Sequence, residues 1–203
     1  MLISKSIEQK IKTRKKGSLL FLADFTDSFS YEAVKKVLQR LEKNKSIIRL
    51  SRGIYYKPKT DKILGSVYPS VEKIAESIAK RDKARIIPSG SYALYKLGLS
   101  EQVPMNIVYL TDGSARVIKV GTRKITFKKT SPKNLAVEHK LSSMLIQGLK
   151  ALGVKNINKS VKEKIKNTIE KSKDLEEIKM SLHDAPVWVQ NIVKKIIIEI
   201  ENE

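Results

Sequence analysis

The chain has 203 residues, 41% of them hydrophobic, enough for one large or two small domains that each bury a core. It has no cysteine and only two histidines, His139 and His183, which excludes a disulfide framework, a thiolate nucleophile and the usual zinc sites; neither a metal nor another cofactor is expected. The 41 Lys and Arg against 21 Asp and Glu give a formal charge of +20 and predict a polyanionic partner, nucleic acid or an acidic protein.

The charge is uneven: residues 1–60 hold 15 basic and 5 acidic side chains, residues 61–150 hold 16 and 7, and residues 151–203 hold 10 and 9. A polyanion therefore meets the first three quarters of the chain, and the last quarter reads as ordinary solvated helix surface. No stretch approaches the roughly 18 apolar residues that span a bilayer. The start, "MLISKSIEQKIKTRKK", has neither an apolar signal core nor a cleavage site. These features predict a cytoplasmic protein with no membrane partner.

In chain order, Ile3, Ile7 and Ile11 recur every fourth residue and predict a helix over 2–14 that stops near Gly17. "SLLFLADF" is a brief apolar run, too short to assign firmly to strand or helix. Ser30 is placed to cap a helix in which Val34, Val37, Leu38 and Leu41 recur at i, i+3, i+4 and i+7, with Asn44 closing it in the left-handed conformation. That stripe must pack inward, so Glu32, Lys36, Gln39 and Lys43, flanked by Lys35 and Arg40, face outward. "SIIRL" and "GIYYKP" are β-prone runs around "SRG", a hairpin with Gly53 at positive φ and Pro58 ending the pairing.

Helix, short strand, short helix, longer helix and basic hairpin is the order of a winged helix-turn-helix, whose long helix enters the major groove while the hairpin reaches the backbone or minor groove. On that plan Tyr31, Lys35, Lys36, Gln39, Arg40 and Lys43 of the helix and Arg49, Arg52, Tyr55 and Lys57 of the wing meet double-stranded DNA. Gln39 and Arg40 are the natural base readers, and the lysines suit phosphates. Tyr55 and Tyr56 alternate along a strand, so one ring packs in and the other stays open to a sugar or phosphate.

Beyond a short linker at "KPKTDKILGS", "PSVEKIAESIAKRDK" is a helix capped by Ser70 with Ile74 and Ile78 inward, and "SGSYALYKLGL" is a shorter one ended by Gly98. "NIVYLTDGSARVIKVGTRKITFKK" alternates apolar and basic residues in three runs broken at "DGS" and "VGT", a three-stranded antiparallel meander. Val117, Ile125 and Phe127 point inward there. Arg116, Lys119, Arg123, Lys124, Lys128 and Lys129 crowd the meander as a secondary basic surface for DNA or an acidic partner. A long helix follows from "SPKNLAVEH" to Gly153, with Ser131 as cap and Pro132 at its first position. "SVKEKIKNTIEK" opens with a Ser160–Glu163 capping box, and further helices start near Asp174 and Asp184. The fold expected is α+β: a winged helix-turn-helix over 1–62, a mixed domain with a small antiparallel meander over 67–153, and a helical C-terminal layer over 154–203.

Catalytic readings are weaker. "PSGSYAL" carries Gly90 and Ser91, the small pair with which nucleotidyltransferases hold a triphosphate, and Asp112 lies downstream. That chemistry needs two neighbouring carboxylates for Mg²⁺, and "LTDGS" supplies one. A helix start at Gly90 and Ser91 and a turn at Asp112 and Gly113 account for these residues better. The chain has no GxxxxGK[ST] loop and no HExxH; His139 and His183 suit surface or capping roles, and Trp188 a core or interhelical one. No enzymatic activity is expected.

At the level of motifs, Asp24 and Phe25, "VLQRLEKNKSIIRLSRGIYYKP", "PSVEKIAESIA", "IIPSGSYALYKLGLSEQVP" and "VYLTDGSARVIKVGTRKITFK" resemble the AbiEi-like antitoxins of type IV toxin-antitoxin systems, over about residues 1–153. The resemblance implies a repressor that binds its own promoter through the winged domain and opposes a nucleotidyltransferase-like toxin, by contact with the toxin or through the toxin's RNA target. A monomer or weak dimer able to bind DNA cooperatively fits this role. Two other readings stay open: a stand-alone winged-helix regulator with a ligand-sensing second domain, and a divergent nucleotidyltransferase.

Overall fold

The computed structural model describes residues 3–61, 63, 65–120 and 122–202. Two units emerge, Met1–Ile78 with Ile118–Thr122, and Ala79–Val117 with Arg123–Glu203. The division falls inside a helix, α4 (Val71–Arg81), and not in the segment 57–66 that reads as a linker.

In the first unit the 3.6-residue period becomes helix α1 (Ile3–Thr13), of which Ile7 and Ile11 are buried while Ile3 is exposed. The run "SLLFLADF" divides between strand β1 (Leu19–Phe21) and a single helical turn, α2 (Ala23–Thr26). Helix α3 (Tyr31–Lys43) starts where Ser30 Oγ accepts the Ala33 N–H at 3.4 Å. Its end differs from expectation. Asn44 sits at φ −88°, and it is Lys45 that takes the left-handed position at φ 60°. The Asn44 side chain accepts the Ser46 N–H at 3.1 Å instead, a local bond that competes with a left-handed cap.

Strands β2 (Ile48–Ser51) and β3 (Ile54–Tyr56) form the basic hairpin, and β1 pairs on the far side of β3, so the order is β1-β3-β2. Both pairings are antiparallel, with a bulge between Arg49 and Ser51. One core holds Ile7, Ile11, Leu20, Phe25, Ile47 and Tyr55 together with the α3 stripe of Val34, Val37, Leu38 and Leu41. Each such aliphatic side chain contributes about 1.5 to 3 kcal/mol through burial. The segment read as a linker is itself a small antiparallel hairpin, β4 (Lys59–Asp61) with β5 (Gly65–Val67).

The sheet that follows departs from the expected meander. Its order is β6-β7-β9-β8, from β6 (Ile86–Ser89), β7 (Asn106–Thr111), β8 (Arg116–Val120) and β9 (Arg123–Lys129). β6 is antiparallel to β7, but β7 and β9 are parallel neighbours, in register from Asn106 opposite Lys124 to Thr111 opposite Lys129. Alternation of apolar and polar residues is the same in both kinds of ladder, so it could not reveal the order. What separates the strands is which apolar side chains find cover. Ile107 and Tyr109 of β7 bury in line with Ile125 and Phe127 of β9, whereas Val117 of β8 is 52% exposed and β8 stays at the edge. Tyr109 packs edge-on against Tyr92 at 5.6 Å and lies alongside Phe127 at 6.1 Å between ring centres.

Helices α5 (Ser91–Lys96), α6 (Lys140–Leu152), α7 (Lys159–Ser172), α8 (Leu175–Ser181) and α9 (Val187–Glu201) complete the second unit. The long helix expected from Ser131 is broken. Pro132–Leu135 makes a 3-10 turn, and α6 begins only after His139, whose Nδ1 accepts the Ser142 N–H at 3.4 Å. Asn158, not Ser160, caps α7, accepting the Val161 N–H at 3.0 Å, and α9 starts after Pro186 rather than at Asp184. Ile165 and Ile169 of α7, Ile178 of α8 and Val189, Val193, Ile196 and Ile197 of α9 share one core with Leu145 and Leu149 of α6. The segment 154–203 is thus built into the second unit's core.

The turn after β7 carries a steric demand. A Cβ on Gly113 would lie 2.7 Å from the Ala84 Cβ, and an atom fixed to the backbone cannot swing aside. Gly113→Ala is expected to destabilise the protein by about 1 to 3 kcal/mol in urea unfolding, with Ala84→Gly restoring much of the loss in the double variant. Additive losses in the double variant would refute the contact.

Candidate nucleic-acid interface

With the α3 stripe buried, Lys36, Gln39 and Lys43 are exposed on the opposite side, Tyr31 is exposed at the first position of the helix, and Lys35 is partly exposed. Lys35 Nζ stands 5.9 Å over the Tyr31 ring and 3.9 Å from the Glu32 carboxylate, both weak surface contacts that leave the ammonium free to exchange partners. On the hairpin, Gly53 at φ +72° turns the chain, and its carbonyl accepts the Leu22 N–H at 2.9 Å, which ties the tip to the start of α2. Arg49 and Arg52 flank that turn and are exposed. A groove of about 100 Å³ runs between the two elements, lined by Tyr31, Lys35 and Gln39 on one side and Arg49, Arg52 and Gly53 on the other. Leu22 also lines it; nothing in its short apolar run marked it in advance.

The structure uses three of the expected contacts otherwise. The Arg40 guanidinium is paired with Glu8 and donates to Ser4 Oγ at 2.8 Å, tying α3 to α1. Lys57 Nζ donates to the carbonyls of Ile11, Lys12 and Arg14 at 3.2, 2.6 and 2.6 Å, so it satisfies the C-terminal carbonyls of α1 and does not point from the wing. Tyr55 and Tyr56 are both buried, because β3 is the middle strand of its sheet. Burial raises the Tyr55 phenol above its ordinary pKa, partly opposed by the Arg49 charge. The Tyr56 hydroxyl donates to the Val67 carbonyl at 2.6 Å. Tyr55 still lines the groove beside Tyr31, the exposed ring of the two.

The secondary basic residues do not form one face. Arg116 is ion-paired with Asp82, lies 5.8 Å from the Phe127 ring centre, and is held below the usual guanidinium pKa by burial and by the nearby Arg81 charge. Lys124 and Lys128 share the outer side of β9 with Thr126, whose hydroxyl donates to Asn106 Oδ1 at 2.8 Å. Arg123 and Lys129 sit at the strand ends in line with Ile125 and Phe127, and are exposed. Lys119 is exposed on β8.

The residues of the catalytic alternative have structural occupations. Gly90, at φ +61°, precedes Ser91 at the first position of α5. Asp112 accepts the Arg85 N–H at 2.7 Å and Arg85 Nε at 2.9 Å, while another guanidinium nitrogen donates to the Leu135 carbonyl at 3.0 Å. Those hydrogen bonds from Arg85 hold the Asp112 carboxyl below the usual range. No group of three or more His, Asp or Glu side chains is placed to hold a metal among the described residues.

A family model described as a family of unknown function, DUF6088, matches residues 6–178, and the chain belongs to that family. No curated protein matches it.

Two outcomes follow from these placements. Lys57→Met should lower stability by about 1 kcal/mol in urea unfolding, through the lost cap on α1; unchanged stability would contradict that cap. Asp112 has a depressed pKa in the folded state, so its stabilising contribution is present above the ordinary Asp value of about 3.9 and is lost as pH falls through the folded value. The stability gap between the unaltered chain and Asp112→Asn should therefore close on acidification, and a gap independent of pH would contradict the Arg85 pairing.

Proposed function

We propose that this DUF6088-family chain is a sequence-specific DNA-binding repressor of antitoxin type whose first unit works as a winged helix-turn-helix. The observation that carries the reading is the groove between α3 and the β2–β3 hairpin, where Lys35, Gln39, Arg49 and Arg52 converge beside the exposed Lys36 and Lys43. A polyanion is attracted by these cations, and an exposed helix face of this width suits a major groove. Gln39 is the base reader in this scheme, Arg49 and Arg52 contact the backbone from the wing, and Arg40 supports α3 from behind. The +20 charge supplies the general attraction that brings any duplex close.

Control of its own promoter and opposition to a nucleotidyltransferase-like toxin rest on the resemblance of residues 1–153 to the AbiEi-like antitoxins. A cytoplasmic location accords with that role, and no helix is long and apolar enough to cross a membrane among the described residues. The function is non-enzymatic in this reading, consistent with Asp112 being engaged by Arg85.

Binding to the chain's own upstream DNA at several salt concentrations tests the proposal. With about five phosphates neutralised, log affinity should fall against log salt with a slope of about −4 to −5. A flat response would sink the DNA reading. Lys36→Ala and Arg52→Ala should weaken binding to all duplexes alike, whereas Gln39→Ala should cost about 1 to 3 kcal/mol mainly on the true operator. Equal losses on random and operator DNA in all three would remove base readout from α3. Co-expression with the neighbouring gene's product should relieve growth arrest; persistent arrest would leave a repressor without the antitoxin role.

A further inference from the structure

We infer that the second unit has a binding site of its own, in the cavity beside α6, for a small organic phosphate of nucleoside monophosphate size. The cavity holds about 290 Å³ and lies wholly within the second unit, between the Pro132–Leu135 turn, one face of α6 and the segment 184–186. That volume falls just below the usual small-molecule range of about 300 to 1,000 Å³, and suits a mononucleotide better than a dinucleotide.

Gln147 points to a ligand. Ser143, Gln147 and Lys150 stand at i, i+4 and i+7, so α6 turns one polar stripe toward the cavity while Leu145 and Leu149 enter the core. The Gln147 side chain is 6% exposed, lines the cavity, and makes no hydrogen bond among the described residues. The amide opens onto the cavity, where its adjacent donor and acceptor suit the edge of a nucleobase.

The surroundings define the rest of the ligand. Lys133 and Lys150 are exposed at the rim and supply positive charge for a phosphate. Lys150 Nζ is 3.3 Å from Asn134 Oδ1, and the Asn134 amide nitrogen is in turn held by Thr130 Oγ1 at 2.8 Å, so the ammonium is positioned and not merely tethered. Val137 and Ile146 are buried apolar walls against which a flat ring can lie. Asp184, with His183 Nε2 3.2 Å from its carboxylate, is the single acid of the lining and can accept from a ribose hydroxyl or an exocyclic amine. An anion alone would leave Gln147 and these walls without a partner. The site does not depend on the DNA-binding reading, since none of its residues belongs to the first unit.

Calorimetric titration of the full chain with AMP, CMP, GMP and UMP, each beside inorganic phosphate and the matching nucleoside, tests the site. At least one nucleotide should bind saturably, one per chain, and more tightly than phosphate or nucleoside alone. Gln147→Met and Lys150→Ala should each weaken that binding about tenfold, while thermal unfolding of Gln147→Met stays close to that of the unaltered chain, because the replacement keeps the side chain's volume at the cavity wall. Absence of saturable binding for all four at millimolar concentration would overturn the inference, leaving a cavity that holds water. Equal affinity for inorganic phosphate would reduce it to an anion site and overturn the nucleotide assignment. Binding unchanged in both variants would place the nucleotide elsewhere on this basic chain, and a clearly destabilised Gln147→Met would show that the amide supports the core.

Discussion

Burying Val34, Val37, Leu38 and Leu41 of α3 against Ile7, Ile11, Leu20 and Phe25 is the constraint from which the first unit's surface follows. A helix has one apolar stripe and can satisfy it only by turning that side inward, which fixes the rotation of the whole element. Lys36, Gln39 and Lys43 are outside because those four aliphatic residues are inside. The hairpin is then held at the edge of the same surface by the Gly53 carbonyl and the Leu22 N–H, and by β3 pairing with β1. A groove with cations on both sides results from packing and chain reversal together, with no single residue responsible for it.

Charge on this chain does two kinds of work. Some basic side chains are tied into the fold: Arg40 joins α3 to α1, Lys57 closes the end of α1, Arg85 holds Asp112, and Arg116 pairs with Asp82. Others, such as Lys36, Lys43, Arg49 and Arg52, remain in water. Net charge therefore overstates the number of cations free to meet a partner, and only partner-by-partner inspection of the hydrogen bonds separates the two sets.

In the second unit the helices of the C-terminal quarter have little net charge, yet they supply a large part of the core through Ile165, Ile169, Val189 and Val193. The mixed sheet has a related logic. β7 and β9 lie side by side with Ile107 and Tyr109 buried in line with Ile125 and Phe127, and β8 takes the edge with Val117 exposed. The cavity that Gln147 lines lies between the Pro132–Leu135 turn, α6 and the segment 184–186 ahead of α9.

Much of the local order was legible in the amino-acid sequence by itself. The α3 stripe, the Ser30 and Ser70 caps, the Gly53 turn and the alternating pattern of β9 depend on neighbours within a few residues, and their chemistry is written in spacing. Caps were less secure where several candidates lie together, as when Asn158 took the role foreseen for Ser160. The rest was decided by contacts between residues far apart in the chain. That Arg40 pairs with Glu8, that Lys57 bonds the end of α1 and that β7 lies beside β9 depend on partners roughly 20 to 45 positions away. Periodicity determines which face of an element is buried; only the tertiary structure determines what each face meets, because that choice is made by competition among many distant surfaces for the same contacts.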